Sequence, residues 1–416
     1  MNTLDRILHD CELAAPPQES RRRAARQLAE RGLPSAREED WRYANLRALD
    51  AVASFRPSAS AMPAVLAPEL LPPAIPGFAR LTYLNGRLHA PASTSAAPMV
   101  ETTPIEWTGP EQRFGLLNDM FATDGAELRV QGDAAIEILF ISTPQHAGTA
   151  VYPRLSVQLE AGSRLQLVER HLGAPGELGL VCPSASLQLA RGARLTHYRL
   201  QQCAAGTVYI DSLRAHLQDE AAYHVRSVAV GAGTARSSAT VRLAGRGAAL
   251  TWHGLAVGHD EQVHDGLLKV EHCAPATRTE EVFRGIAAER ARVAFNGQIH
   301  IDSAAPGSQA CQSLRGLVDG AAAEIDLRPQ LTINTDDVRA AHGATSGRLD
   351  ENLLFYMLSR GLDPATARAL LKWAFLGDIL KHIELPELRR AAEAAAAGQL
   401  PDVLAAGALS GSGAPP

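Results

Sequence analysis

The side chains best able to hold a metal are fourteen histidines and five cysteines, and their spacing decides which are candidates. Cys11, Cys182, Cys203, Cys273 and Cys311 are odd in number and form no Cys-x-x-Cys pair, so neither a disulfide framework nor a self-contained zinc site is indicated. Reduced, mostly buried thiols are expected. Most histidines stand singly. His253, His259 and His264 would approach one another if successive chain segments stack, as would His272 beside Cys273, although a lone imidazole is more often packed than ligating. His342 differs: it lies between Asp336-Asp337 and Gly343-Ala344-Thr345, in a polar, glycine-flanked stretch that reads as an exposed bend. An exposed imidazole there could ligate a metal. The plainer alternative is a cap on the bend, bonded to Asp336 or Asp337.

Other chemistry is missing. No Gly-x-x-x-x-Gly-Lys-Ser/Thr loop occurs, so the chain is expected not to hydrolyse ATP. No His-Glu-x-x-His or Gly-x-Ser-x-Gly stands out. The acid pairs Glu38-Glu39, Glu280-Glu281 and Asp336-Asp337 read as solvated surface, because sequence neighbours in a strand point apart. Forty Lys and Arg against 45 Asp and Glu leave a net charge of -5, too little positive field to make nucleic acid a partner. The N-terminus lacks the apolar run of a signal peptide and no later stretch has membrane-spanning length, so a cytoplasmic protein without membrane contact is expected.

The elements that would position these residues fall into blocks. Residues 1–80 read as a helical region through about Phe55, with Leu4, Ile7, Leu8 and Leu13 near helical spacing, followed by a Pro/Ala-rich linker from Pro57 to Pro76. Residues 81–335 carry short apolar alternations broken by Gly and Asp. One unit recurs there, as Leu128-Arg-Val130-Gln-Gly132, Val157-Gln-Leu159-Glu-Ala-Gly162 and Leu187-Gln-Leu189-Ala-Arg-Gly192, with weaker copies at Ala215-His216-Leu217, Val241-Arg-Leu243 and Leu314 to Gly320. A period of roughly 25 to 30 residues fits stacked coils that bury their apolar sides only against neighbours. A β-solenoid is therefore the preferred reading, with an antiparallel sandwich as its competitor.

Residues 336–388 read as a helical domain. Asp350 caps a helix ahead of Leu353, Leu354, Met357 and Leu358, and Gly361 stops it. Asp363-Pro364 starts a second helix, whose stripe of Ala367, Leu370, Leu371, Ala374, Phe375 and Ile379 would face the solenoid and leave Lys372 and Trp373 on another side. Residues 389–416 turn Ala-rich, then rich in Gly, Ser and Pro, and read as a flexible tail.

The segment from Asp336 to Asp350, with Ala340-Ala341-His342-Gly343-Ala344-Thr345 at its centre, resembles the signature of the SufB/SufD family of iron–sulfur cluster assembly proteins. The likeness continues through Leu354 to Leu362 and recurs upstream in Phe295-Asn296-Gly297-Gln298-Ile299, in Gln309 to Leu314 and in Glu39-Asp40-Trp41-Arg42-Tyr43-Ala44-Asn45-Leu46. Gly343 after the histidine resembles the SufD branch; SufB usually carries Glu there.

The resemblance implies a mainly β chain, with a right-handed parallel β-helix core flanked by N- and C-terminal helical domains. It implies a non-catalytic scaffold that pairs with SufB through the β-helix, docks the ATPase SufC through its C-terminal helices, and forms a homodimer when alone. His342 would then contact iron or a cluster at the SufB junction, and Leu370, Lys372, Trp373 and Phe375 would dock SufC. No cofactor would be bound stably by this chain, iron or a cluster being transient cargo. Many relatives carry Cys two residues before the motif histidine, where this chain has Ala340, so no thiolate is available at that position. The competing readings are a β-helix enzyme acting on polysaccharide and a SufB-like scaffold that holds the cluster itself.

Overall fold

The computed structural model describes residues 2–14, 19–57, 66–94, 112–143, 148–174, 176, 179–403 and 405. Its centre is two facing sheets of mostly parallel strands. In one sheet lie β1 (Ala79–Leu84), β2 (Arg87–Leu88), β4 (Asp133–Ser142), β7 (Arg164–Gly173) and β10 (Arg194–Gln202). The same sheet continues with β12 (Ala222–Val230), β14 (Ala249–Gly258), β16 (Arg278–Ala288), β18 (Ser308–Asp319) and β20 (Val338–Gly347). The second sheet runs from β3 (Ala126–Val130) through β6 (Arg154–Leu159), β9 (Ser184–Leu189), β11 (Thr207–Leu217) and β13 (Thr234–Leu243). It ends with β15 (Val263–His272), β17 (Arg292–Ile301) and β19 (Glu324–Ile333), while short β5 (Ala150–Val151) and β8 (Gly179–Val181) pair at its flank.

The repeated unit is one step of this β-solenoid. Leu128 pairs in register with Val157, Val157 with Leu187, Leu187 with Ala215, and Ala215 with Val241. After each copy the chain turns where φ is positive, at Gly132, Gly162, Gly192 and, without glycine, Glu220. Every described strand pair is parallel except β1 with β2, which excludes the sandwich. The segment Leu314 to Gly320 is out of phase with the other copies: it belongs to β18, in the opposite sheet.

Alternation sends one side of each strand inward to an apolar lumen, lined by residues such as Leu167, Val225, Leu250 and Ile299. The outer faces are covered by helices. Against the second sheet pack α1 (Thr3–Leu13), α2 (Glu19–Arg31) and α3 (Arg113–Phe121), joining Ile7, Leu28, Trp41 and Phe114 to Cys182, Val208 and Ile210. The helical reading through Phe55 stops early, because Gly32 takes φ 70° and only short 3-10 turns follow, at Glu39–Trp41 and Leu46–Ala51. Part of the expected linker, residues 58–65, lies outside the described residues.

Against the first sheet pack α5 (Pro364–Leu380) and α6 (Pro386–Gly398), while α4 (Glu351–Ser359) buries no residue. Asp350 and Asp363 cap α4 and α5 as expected, each carboxylate accepting two backbone N–H bonds. Two boundaries differ from the sequence reading. The sheet continues to Gly347, so β20 adds a strand to the solenoid beyond residue 335. Residues 389–403 are no loose tail, because Leu388, Ala392, Ala396, Leu400 and Val403 form a buried stripe on the sheet, small side chains permitting close approach. Residues 406–416 lie outside the described residues.

Candidate functional site at the last coil

The signature segment does not form a bend. Val338 to Gly347 make β20, the last strand of its sheet, and His342 sits at its middle, exposed. The reason lies in the partner strand: Ser308 to Leu317 of β18 offer ten in-register pairing positions, which outweigh the local preference of Gly343 for a turn. Neither Asp336 nor Asp337 caps the imidazole, which has no hydrogen-bond partner among the described residues.

Register gives His342 its neighbours. His342 pairs with Gln312, Gln312 with Glu281, and Glu281 with Trp252, forming one file along the solenoid. The three inner members are buried, so the file runs on the lumen face and His342 occupies its mouth. Gln312 Nε2 donates to Glu281 Oε2 at 2.9 Å. Glu281 is fully buried, with no other partner for its second oxygen among the described residues, and burial pushes its carboxyl up to about 7 despite the Gln312 bond. The acid pair Glu280-Glu281 is therefore not simply solvated surface: Glu280 is exposed while Glu281 faces the lumen. Strand alternation, which separates the two, also carried the signal that one of them must point inward.

The similar blocks converge on this region. Gly297 faces the file, where a Cβ would meet Glu281 Oε1 at 2.2 Å and Gln312 Nε2 at 2.7 Å. The next residue, Gln298, donates to Asp40 at 2.7 Å, and Lys269 also donates to Asp40 at 2.8 Å. Trp41 is fully buried under the Arg236 guanidinium, 4.4 Å from its ring centre. The N-terminal block thus clamps the helical layer to β15 and β17, behind the file.

Deeper in the lumen lies a charge network no sequence signal had marked. Glu169 contacts His171 at 2.6 Å, His197 at 2.9 Å and Arg199 at 3.0 Å, and Arg199 reaches Asp211 at 3.0 Å. Burial raises the Glu169 carboxyl, yet Arg199, His171 and His197 outweigh it and hold the group well below the usual carboxylate range. The other histidines are separate. His264 is fully buried and pushed down to about 4 by that burial, and His272 sits between Thr277 and Thr279 at 2.8 and 2.9 Å. Among the described residues no group of three His, Cys, Asp or Glu side chains is arranged to hold a metal.

The helical residues expected to dock an ATPase are split. Lys372 faces inward, buried between Asp319 and Asp402, so it locks α5 onto the sheet. Its spacing from Ala369, Leu376 and Ile379 places it on that inner face. Trp373 and Phe375 are half-buried against the same apolar layer, and Leu370 is exposed. Unforeseen is α4, where Leu353, Phe355 and Tyr356 stand 52, 73 and 56% exposed. No described helix is long and apolar enough to cross a membrane.

The chain is thus a mainly β solenoid with helical flanks, and His342 lies on the last strand of one of its sheets. Residues 140–375 match the family described as the SUF system FeS cluster assembly, SufBD core domain, and the chain belongs to that family. It is 27% identical over 408 residues to an iron–sulfur cluster assembly SufBD family protein of Synechocystis, covering 89% of this chain and 88% of the relative. It is 25% identical over 401 residues to the iron–sulfur cluster assembly protein SufD of Escherichia coli, covering 90 and 91%. A SufBD family protein of Mycobacterium tuberculosis is 29% identical over 256 residues, 60% of this chain and 64% of the relative.

Proposed function

We propose that this chain is a SufD-type scaffold, cytoplasmic and without ATPase activity of its own, that pairs with a SufB chain and docks the ATPase SufC. The observation that carries the reading is the unfinished last coil: β19 and β20 end their sheets with no further strand among the described residues, and His342 stands at that edge. An exposed edge offers unpaired N–H and C=O groups, and a second solenoid adding its own strands would satisfy them. Pairing would bring His342 to the junction, where its neutral imidazole would contact iron or a nascent cluster as cargo, with any thiolate coming from the partner because position 340 is alanine. A homodimer through the same edge is the form expected of the chain alone.

SufC docking rests on the C-terminal helices, and their exposed apolar residues favour Leu353, Phe355 and Tyr356 of α4 with Leu370 of α5, supported by Trp373 and Phe375. Lys372 contributes by holding α5 in place. The test is co-purification of tagged chain from cells expressing SufB and SufC. Capture of both partners by the wild type, loss of SufC alone in Phe355→Ser, and a His342→Ala complex that assembles normally but builds clusters poorly are expected. Wild-type cluster assembly by a folded His342→Ala complex would make the histidine structural.

A further inference from the structure

The file behind His342 is built of groups that an apolar lumen disfavours. A buried carboxyl with no cation beside it is costly, and an apolar side chain at position 281 would fill the same space without that cost. Room has nevertheless been left for it: opposite stands Gly297, the residue type without the Cβ that would overlap Glu281 Oε1 and Gln312 Nε2. Trp252 lies on the inner side of the pair, and the next register position on its outer side is on β20.

The pair has a direction. Gln312 Nε2 donates to Glu281 Oε2 at 2.9 Å, so the NH2 end of the Gln312 amide is the one that faces the carboxyl. That leaves Gln312 Oε1 as an acceptor on a buried side chain, and it has no partner among the described residues. The register position beyond Gln312 is His342, whose own ring nitrogens are equally unpartnered. An imidazole that donates one N–H to a fixed acceptor is held in one tautomer, with its other nitrogen free to ligate.

We infer that Glu281 and Gln312 are positioning residues for His342: Glu281 orients the Gln312 amide, and Gln312 Oε1 accepts the His342 ring N–H once a second solenoid covers the mouth. The remaining nitrogen then points away from the lumen, toward the junction. This rests on the pairing proposed above. Covering matters because an exposed imidazole trades such a bond for water, whereas in a closed junction the unpaired Gln312 oxygen would be left desolvated.

The tautomer of His342 is the readout, since a purely structural role would not change it. The chain is labelled with nitrogen-15 histidine, assembled with unlabelled SufB and SufC, and its spectrum compared by solid-state NMR with that of His342→Ala to isolate the His342 signals. The wild-type complex is expected to show one tautomer. Gln312→Leu, which removes the acceptor, is expected to show the mixture of a free imidazole, and Gln312→Glu, which restores an acceptor, to return a single form. Glu281→Leu should behave like Gln312→Leu. Cluster assembly in cells should fall at least fivefold in both leucine variants, with the complexes still isolated intact. A single tautomer that persists in Gln312→Leu, or a mixture in the wild-type complex, overturns the inference and leaves the pairing standing. Failure of the wild-type chain to pair with SufB overturns both. Should Gln312→Leu not fold, Gln312→Glu and Glu281→Gln decide: equal mixtures in both would refute the file.

Discussion

At the first coil, β1 hides its outer edge. The chain doubles back through β2 and on to residue 94, so that Thr82 accepts from His89 N at 2.7 Å, Arg80 accepts from Thr94 N at 2.9 Å, and Ser93 and Thr94 hydroxyls take the remaining N–H groups. At the last coil nothing comparable happens: β20 is exposed along nearly its whole length and the chain leaves directly for α4. Both ends face the same difficulty, a row of unpaired backbone groups. A chain that spends the ten residues 85–94 closing one end and none closing the other has one edge that is finished and one that awaits a partner. The same contrast separates the two polar groups of the lumen, for the Glu169 carboxylate is balanced by the Arg199 cation, whereas the Glu281 carboxyl faces no cation among the described residues and lies next to the file that ends at the unfinished edge.

The largest effect is expected in the balanced half. Arg199→Met leaves Glu169 and Asp211 buried without their guanidinium, and should cost about 3–5 kcal/mol of unfolding free energy in urea titrations. A loss under about 1 kcal/mol would mean that the two halves of the lumen are not different after all.

The second effect lies in the open half and depends on pH. Burial raises Glu281 from 4.5 to about 7 in the folded chain, so the folded state binds this proton more tightly than the unfolded state. The group faces Gln312, Trp252 and Gly297 and is paired with no cation among the described residues. Its stabilisation is therefore full below about pH 4.5 and is lost as pH rises through about 7. At about 1.4 kcal/mol per unit, the Glu281→Gln chain should gain about 3 kcal/mol on the wild type between those limits. Melting both proteins from pH 4.5 to 8.5 measures it, and parallel curves would place the carboxyl in water.

A third comparison sets the edges against each other. Ala344→Lys, in β20, should weaken association with SufB at least about 100-fold, or about 2.7 kcal/mol, whereas Leu88→Lys in β2 should leave it unchanged. Sedimentation of the mixed chains gives the result, and equal effects would remove the asymmetry. The smallest effect concerns α4, which buries nothing. Asp350→Ala removes two cap bonds worth about 1 kcal/mol, which should appear as faster amide exchange confined to α4 with little change in global melting.

Much of this was legible in one dimension. The repeat of two apolar residues followed by a Gly or Asp turn is a local pattern, and because side chains alternate along a strand it announced both the coil and its inward face. Caps at Asp350 and Asp363 were equally legible, since they depend on backbone groups within three residues. What the tertiary structure decided were matters of pairing between distant segments. Glu281 is buried because β16 presents it to the lumen opposite Gly297, Lys372 because Asp319 and Asp402 meet it from other elements, and His342 is a strand residue because β18 provides the ladder. The alanines after residue 388 have too little side chain to announce a core, yet they allow α6 to lie close on the sheet. In each case the deciding partner lies many residues away, and a hydrogen bond or contact of that kind leaves no trace in local spacing.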